Sequence, residues 1–442
     1  MLGLIVNPVA GIGGPAGLAG SDGESVQARA SERGGTSRAA ERALAALAVV
    51  ASTRPGTRVL TAAGSMGEDV VRAAGLEPVV VVHQPSRTTG DDTSVAATAL
   101  AQSGASLVLF AGGDGTARDV AAGLAGRVGA QRRIETSAEG LDTLADARYS
   151  TGGDGLAAAR YSTGGDGVAA ARYSTGGDGV AALGIPAGVK MYSPVFAVSP
   201  RAAGGIASAW LGVGALPVLE REVLDIDEEA MRRARVEPRM YGTLNVPYRP
   251  GRTQARKAAT PADEQAAVRA AARGAASALR PGVRYLLGPG GTMSELAREL
   301  GVSKTPLGVD VVLDGRVVLA DASERELLDE VGRGPAKAVV TVIGGQGFLL
   351  GRGNQQLSAR VLAALGDDPL VVVAPEQKLI DLGGRPLLVD TGEPEVDAAV
   401  AGFARIITGA STTSIYPVHA PELEHQLEHQ LEHEHEGEGH AP

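Results

Sequence analysis

The chain has 442 residues, enough for two or three domains with substantial cores, and with aromatics at only 3% those cores must be built from Val, Leu, Ile and Ala. It contains no cysteine, which excludes disulfides, thiolate catalysis and Cys-ligated zinc or iron–sulfur centres. Most of the net charge of −10 comes from the seven glutamates of residues 411–442, so the body is nearly neutral and has no electrostatic footprint for nucleic acid.

The first predicted element is a strand over Leu2 to Asn7, entering a glycine-rich loop from Gly11 to Gly23. Gly11, Gly13 and Ala16 satisfy a GxGxxA pattern, but Pro15 and the LAGSDG segment stand where its helix should begin, so a Rossmann dehydrogenase is rejected. Alternation follows: helix around Ala39 to Ser52, strand at Arg58 to Leu60, helix near Gly67 to Ala74, strand at Pro78 to His83 and helix near Ser94 to Gln102. Strands and helices in turn imply a doubly wound, mostly parallel sheet, an α/β fold. There is no basic leader before Leu2, and no apolar stretch reaches the ~20 residues a membrane helix needs. A cytoplasmic protein without membrane contact is expected.

Leu107 to Thr116 reads LVLFAGGDGT, an apolar run that stops in Gly112-Gly113-Asp114-Gly115-Thr116. Such a run bounded by glycines has the pattern of a buried parallel strand. Ala117 to Ala122 can start a helix, which would leave Asp114 on a bare-backbone loop between strand and helix, where phosphates are usually bound. Three glycines let the main chain approach a polyphosphate, and Asp114 can face a metal ion or a substrate hydroxyl. The competing reading is a plain Gly-Asp turn.

Three tandem copies of ARYSTGGDG[LV]AA then occupy residues 147–158, 159–170 and 171–182. Each contains GGDG, but none follows an apolar strand and none has Thr after its last glycine. A mobile insertion in a helix-to-strand return is expected, at the edge of the sheet away from the ligands. Leu183 to Val189 resumes the sheet and delivers Lys190 and Tyr192. Lys190 reads equally as a phosphate contact or as a solvated side chain.

After a basic, turn-rich stretch, an Ala-rich helix near Pro261 to Leu279 opens a second α/β half. Strand Val283 to Leu287 runs into Gly288-Pro289-Gly290-Gly291-Thr292 and a helix from Ser294, either a second phosphate loop or a simple helix cap. Strands at Val309 to Leu313, Ala338 to Ile343 and Leu370 to Ala374 follow. The organisation is therefore 1–146, an N-terminal nucleotide-binding part; 147–182, the repeat insertion; 183–248, continuation of the core; 249–408, the C-terminal half; and 409–442, a disordered Glu/His-rich tail. No Walker-A pattern is present, and His83 is the lone histidine before His419.

GGDGT after an apolar strand resembles the NAD kinase superfamily, which also includes diacylglycerol and sphingosine kinases and, more distantly, phosphofructokinases. GLIVNPVAGIGGPAGLAGSDG (Gly3–Gly23), LGIPAGVKMYSPVFAVSPRAAG (Leu183–Gly204), YLLGPGGTM (Tyr285–Met293) and IGGQGFLLGRGNQQ (Ile343–Gln356) are similar to one branch of it. That branch is the predicted ATP- or polyphosphate-dependent NAD kinases, which include an acetoin-catabolism accessory protein.

The resemblance implies a kinase that phosphorylates NAD to NADP. Asp114 would be the catalytic base, with possible metal contact through Mg²⁺ carried on bound phosphate. Asn7, Gly13, Gly14, Asp22, Gly112, Gly113, Gly115, Thr116, Gly188, Lys190, Tyr192, Gly288, Gly290, Gly291 and Thr292 would bind nucleotide. The expected cofactor is Mg²⁺ with ATP or polyphosphate as co-substrate; the expected partners are NAD and the donor, without nucleic acid or membrane, in a homo-oligomer. Two departures matter. Ordinary NAD kinases carry Asn-Glu or Asn-Asp between the halves, where Asp227-Glu228 is the nearest acidic pair here. Lipid kinases continue Asn-Glu after GGDGT, where this chain has Ala117-Arg118. A lipid kinase and a non-catalytic nucleotide-binding regulator of a catabolic operon are the alternatives.

Overall fold

The structure is a computed structural model that describes residues 1–18, 24–83, 88–125, 179–189, 191–212, 216–225, 239–249, 251–253 and 265–423. The repeat segment up to residue 178, the tail from residue 424, Asp22, Lys190, Asp227 and Glu228 lie outside the described residues.

The first half is built on β1 (Leu2–Val6), α1 (Glu24–Glu32), α2 (Ala39–Thr53), β2 (Arg58–Ala62), α3 (Glu68–Ala73), β3 (Glu77–Val82), α4 (Gly90–Gln102) and β4 (Leu107–Gly112). It continues through α5 (114–125), β5 (Ala181–Pro186) and α6 (Pro200–Gly212) to a hairpin of β6 (Val218–Asp225) and β7 (Arg239–Pro247). Its five strands are all parallel, in the order β3-β2-β1-β4-β5. Every residue of β1, β4 and β5 is buried, so both faces of the sheet are covered. The chain winds outward from β1 to β3 and then returns to the other side of β1 with β4. That reversal is a topological switch point, and its crevice lies outside the carboxyl ends of β1 and β4.

The helix starts differ from the sequence reading for local reasons. α4 begins four residues before Ser94 because Thr89 caps it: the Thr89 N–H and hydroxyl both donate to Asp92 Oδ2, at 2.8 and 3.0 Å. α5 begins at Asp114 itself, with Ala117 N–H donating to the Gly113 carbonyl at 3.0 Å. Asp114 is therefore the first helical residue rather than a loop residue ahead of the helix. β5 begins at Ala181, so the last two residues of the third repeat are sheet residues, paired with Leu107 and Val108.

The second half contains α7 (Gln265–Ala278), β8 (Arg284–Leu287), α8 (Gly291–Glu299), β9 (Asp310–Leu313), β10 (Arg316–Leu319), α9 (Glu324–Val331), β11 (Ala336–Val340) and β12 (Phe348–Leu350). It ends with α10 (Ala359–Leu365), β13 (Leu370–Val373), α11 (Glu376–Ile380), β14 (Leu387–Val389), α12 (Pro394–Val400), β15 (Gly402–Ile407) and β16 (Thr413–His419). One nine-stranded sheet orders them β10-β9-β8-β11-β13-β15-β16-β14-β12, with β8, β11, β13 and β15 parallel. No helix among the described residues is long and apolar enough to cross a membrane.

The halves meet through the segment 343–356 and the start of α2. Phe348 belongs to the hydrophobic core of the first half. Gly353 N–H donates to the Val189 carbonyl at 2.8 Å, and Gln346 Nε2 to that of Met191 at 2.7 Å. Beneath them Asp390, fully buried, accepts from Arg42 and, at 2.8 Å, from Arg352. The Arg352 guanidinium stacks 4.2 Å from the Phe348 ring centroid. Burial alone would raise the Asp390 carboxyl, but the two guanidiniums more than offset it and hold the group below the usual carboxylate range.

Candidate active site

At the switch point the loops leaving β1 and β4 are tied together. Asn7 Nδ2 donates to the Thr116 hydroxyl at 2.9 Å, and the Asn7 N–H to the Ala111 carbonyl at 3.0 Å. The Thr116 hydroxyl can lie there because residue 112 has no side chain: a Cβ on Gly112 would come 2.2 Å from Thr116 Oγ1. The loop after β5 closes the third side. The N–H groups of Ala187 and Gly188 both donate to the Gly112 carbonyl, at 3.0 and 2.9 Å. A Cβ on Gly188 would stand 2.5 Å from Gly113 Cα, so the two glycine loops touch backbone to backbone.

Asp114 sits at the centre of this arrangement and is 5% exposed. Its Oδ2 accepts from Tyr192 N–H at 2.6 Å, and its Oδ1 from the N–H and hydroxyl of Ser193 at 3.1 and 2.6 Å. Burial pushes its carboxyl up to about 7; the Ser193 hydroxyl and the Tyr192 and Ser193 amides work against that rise, and the charge of Asp225 adds to it. Asp225, at the end of β6, is held by Arg118 at 2.7 Å, and Arg118 also lies 3.2 Å from Asp119. The result is a carboxyl group held in one orientation and poised to exchange a proton near neutral pH.

The structure thus brings together, around the expected base Asp114, Asn7, Gly112, Gly113, Gly115, Thr116, Gly188 and Tyr192 of the residues expected to bind nucleotide. Tyr192 contributes its amide, while its phenol is buried and raised to about 12, by burial first and by Asp114 second. Gly13 and Gly14 are buried in the first loop, where the Gly13 carbonyl accepts from Leu18 N–H and a Cβ on Gly14 would come 3.1 Å from Gln355 Cβ, so Gly14 serves contact between the halves. Gly288 to Thr292 run from the end of β8 into the start of α8 in the second half and are not part of this cluster: Gly290 N–H donates to the Pro306 carbonyl, and the Thr292 hydroxyl accepts from Lys378 Nζ at 3.4 Å. There α8 starts at Gly291, three residues before Ser294.

Ser193 was not visible as a site residue in the sequence, and neither were Gln355 and the Arg42–Asp390–Arg352 cluster. Ser193, Arg352 and Gln355 lie inside the long segments similar to one kinase branch, while Arg42 and Asp390 lie outside them and carried no signal. Among the described residues no group of three or more His, Asp or Glu could hold a metal ion. The Asp114 carboxylate accepts three hydrogen bonds and belongs to no such group, so the described residues assemble no protein-held metal centre around it.

Models of the ATP-NAD kinase N-terminal and C-terminal domains match residues 2–128 and 280–418, one on each half of the fold. The chain belongs to the NAD kinase superfamily. As a member it is a phosphotransferase acting on a hydroxyl of NAD, and the GGDGT loop lies inside the N-terminal match. No curated protein and no solved structure matches this NAD kinase-type chain.

Proposed function

We propose that the protein transfers the γ-phosphoryl group of ATP to the adenosine 2′-hydroxyl of NAD, giving NADP and ADP, with Asp114 as the general base. The observation that carries this reading is the buried Asp114 carboxyl, raised to about 7 and fixed at the switch-point crevice. A base with that proton affinity is matched to work at neutral pH. Oδ2 accepts one hydrogen bond, from Tyr192, and keeps a lone pair for a substrate hydroxyl.

In the reaction the 2′-oxygen forms its bond to the γ-phosphorus as the bond to the β-bridging oxygen breaks, and the hydroxyl proton passes to Asp114. Phosphoryl transfer asks little covalent help from the protein; alignment and charge stabilisation carry it. The amides of Gly113 and Gly115 and the first turn of α5 offer donors to phosphate oxygens. Mg²⁺ enters with the donor's phosphates, and no protein ligand set is assigned to it. The four segments similar to the ATP- or polyphosphate-dependent branch support ATP or polyphosphate as donor. A cytoplasmic homo-oligomer that contacts neither nucleic acid nor membrane completes the reading.

The deciding assay incubates the purified chain with Mg²⁺ and NAD, and with ATP or polyphosphate in separate arms, and reads NADP. NADP with ATP supports the proposal, and NADP with polyphosphate alone changes the donor. Mg-nucleotide binding, measured by calorimetry, without NADP from either donor would replace the kinase by a regulator.

A further inference from the structure

Asp114 is the first residue of α5, and Arg118 follows it by four positions, one turn along the same face. The Arg118 guanidinium bridges two carboxylates. Its Nη1 lies 2.7 Å from Asp225 Oδ2, at the end of β6, and its Nε 3.2 Å from Asp119 Oδ1. A circuit closes from there. Leu224, next to Asp225, donates its N–H to the Ser193 hydroxyl at 2.9 Å, and that hydroxyl lies 2.6 Å from Asp114 Oδ1. The chain of contacts thus leaves α5 at Asp114, passes through the loop after β5 and the end of β6, and returns to α5 at Arg118.

This ion pair is not a solvated surface contact. The Asp225 and Asp119 side chains are 16% and 18% exposed, and that of Arg118 is 34% exposed, so water screens them only in part. The guanidinium also stands 5.7 Å from the centroid of the Tyr241 ring on β7. Three elements, α5, β6 and β7, therefore fix where the positive charge sits relative to Asp114.

The other groups around Asp114 leave the pair in control of its charge. From the loop after β5 come Ser193, which does not titrate, and Tyr192, whose phenol is raised to about 12 and stays protonated near neutral pH. From the loop after β1 comes Asn7, also uncharged, through Thr116. β6 carries Arg221 and Glu222 farther along the strand, and Arg239 of β7 is exposed opposite Asp225. α4 opens against Asp119 at Gly90, followed by Asp91 and Asp92. Lys190 lies outside the described residues and is common to every variant below.

We propose that Arg118 and Asp225 are positioning residues for Asp114: they hold it through Ser193, and as a matched charge pair they set how tightly it keeps its proton. Asp225 supplies negative charge beside the base, and Arg118 offsets that charge by holding the Asp225 carboxylate. The inference rests on the reading of Asp114 as the base of the proposed reaction, but its electrostatic content can be tested without turnover.

The test uses the full chain and two readouts, the pH profile of kcat/KM for NADP formation and the pH dependence of urea unfolding. Asp225→Asn should lower the midpoint of the profile, and Arg118→Gln should raise it, each by about half a pH unit or more. The double variant should return near the wild-type midpoint, and Arg118→Lys, which keeps the charge, should stay there. Lost packing alone would not give opposite signs that cancel. For stability, each variant is compared with its counterpart carrying Asp114→Asn as well. The window in which this carboxyl's contribution falls with rising pH should end lower in Asp225→Asn and higher in Arg118→Gln.

Shifts in the same direction, no shift in either single variant, or a double variant displaced as far as a single one would overturn the proposal. If no protein of the set forms NADP, the kinase reading falls and the stability window decides the pair by itself. A pH-dependent wild-type activity that neither substitution moves removes the pair and leaves the kinase reading standing. Asp225→Asn, which preserves side-chain size, is decisive alone if Arg118→Gln does not fold.

Discussion

The Ser193 hydroxyl lies 2.6 Å from Asp114 Oδ1, although 79 positions separate the two residues in the chain. The same hydroxyl accepts from Leu224 N–H at 2.9 Å and lies 2.8 Å from the Leu224 carbonyl, so it joins the β4 loop, the β5 loop and β6. A carboxyl group gripped this way cannot swing, and its charge state is governed by the same few contacts.

Asp114→Asn removes the base while nearly preserving shape. NADP formation should fall by roughly 10²–10⁴, the usual worth of a general base. Circular dichroism should show an unchanged fold. Near-wild-type turnover would leave Asp114 a purely structural helix-start residue.

Activity should depend on the protonation of this group. Its carboxyl is raised from 3.8 to about 7, so kcat/KM should climb with pH to a plateau, with a midpoint near 7. Ser193→Ala deletes a hydrogen bond that favours the carboxylate, so it should move the midpoint upward, a shift that lost packing alone would not produce. The sign for stability is opposite. The native state keeps the proton that the unfolded chain loses, so stability contributed by this group falls as pH rises from about 4 to about 7. Denaturant titrations of wild type and Asp114→Asn across that window check this: a slope that is identical in the two proteins would contradict it.

Asp390→Ala should be among the most damaging single changes outside the GGDGT loop. It leaves the Arg42 and Arg352 guanidiniums buried at the junction of the halves with their shared carboxylate gone. Removing one partner of such a buried cluster costs ~3–5 kcal/mol, which equilibrium unfolding in urea would read directly. A loss below about 1 kcal/mol would show that the halves do not depend on this contact.

The repeat segment should be dispensable. Residues 179–181 lie at the edge of the sheet opposite Gly112, where Ala181 N–H donates to the Ser106 carbonyl. Deletion of Ala147 to Asp178 spares β5 and should leave NADP formation within about twofold; carrying the cut through Ala182 would remove two buried strand residues and should destabilise the sheet. A folded but inactive Ala147–Asp178 deletion would put the segment in the site after all.

Much of the first half was legible because its signals are local, though α1, α6 and the β6–β7 pair were not anticipated. LVLFAGG is an all-apolar run with the pattern of a covered strand, and β1, α2, β2, α3 and β3 fall within a few residues of their expected bounds. The start of α4 was missed because a Thr89–Asp92 cap outweighed the apolar periodicity that began later. The end of the third repeat was missed because tandem identity suggested one unit, while the sheet needed Ala181 and Ala182 as a buried pair.

For the site, the chain alone determined the glycines, the carboxylate and their place where a strand gives way to a helix, because strand patterning and turn chemistry span only a few neighbouring residues, while the helix start at Asp114 itself came from the structure. What it could not contain was which distant groups would meet. Ser193 beside Asp114, Asn7 beside Thr116 and Asp390 beneath Arg42 and Arg352 are joined across 79, 109, 348 and 38 positions. Such pairs leave no periodic trace in a single sequence. Parallel strand order and the docking of the two halves decide them, and burial then converts ordinary Asp and Arg side chains into groups whose proton affinity and orientation only the folded chain defines.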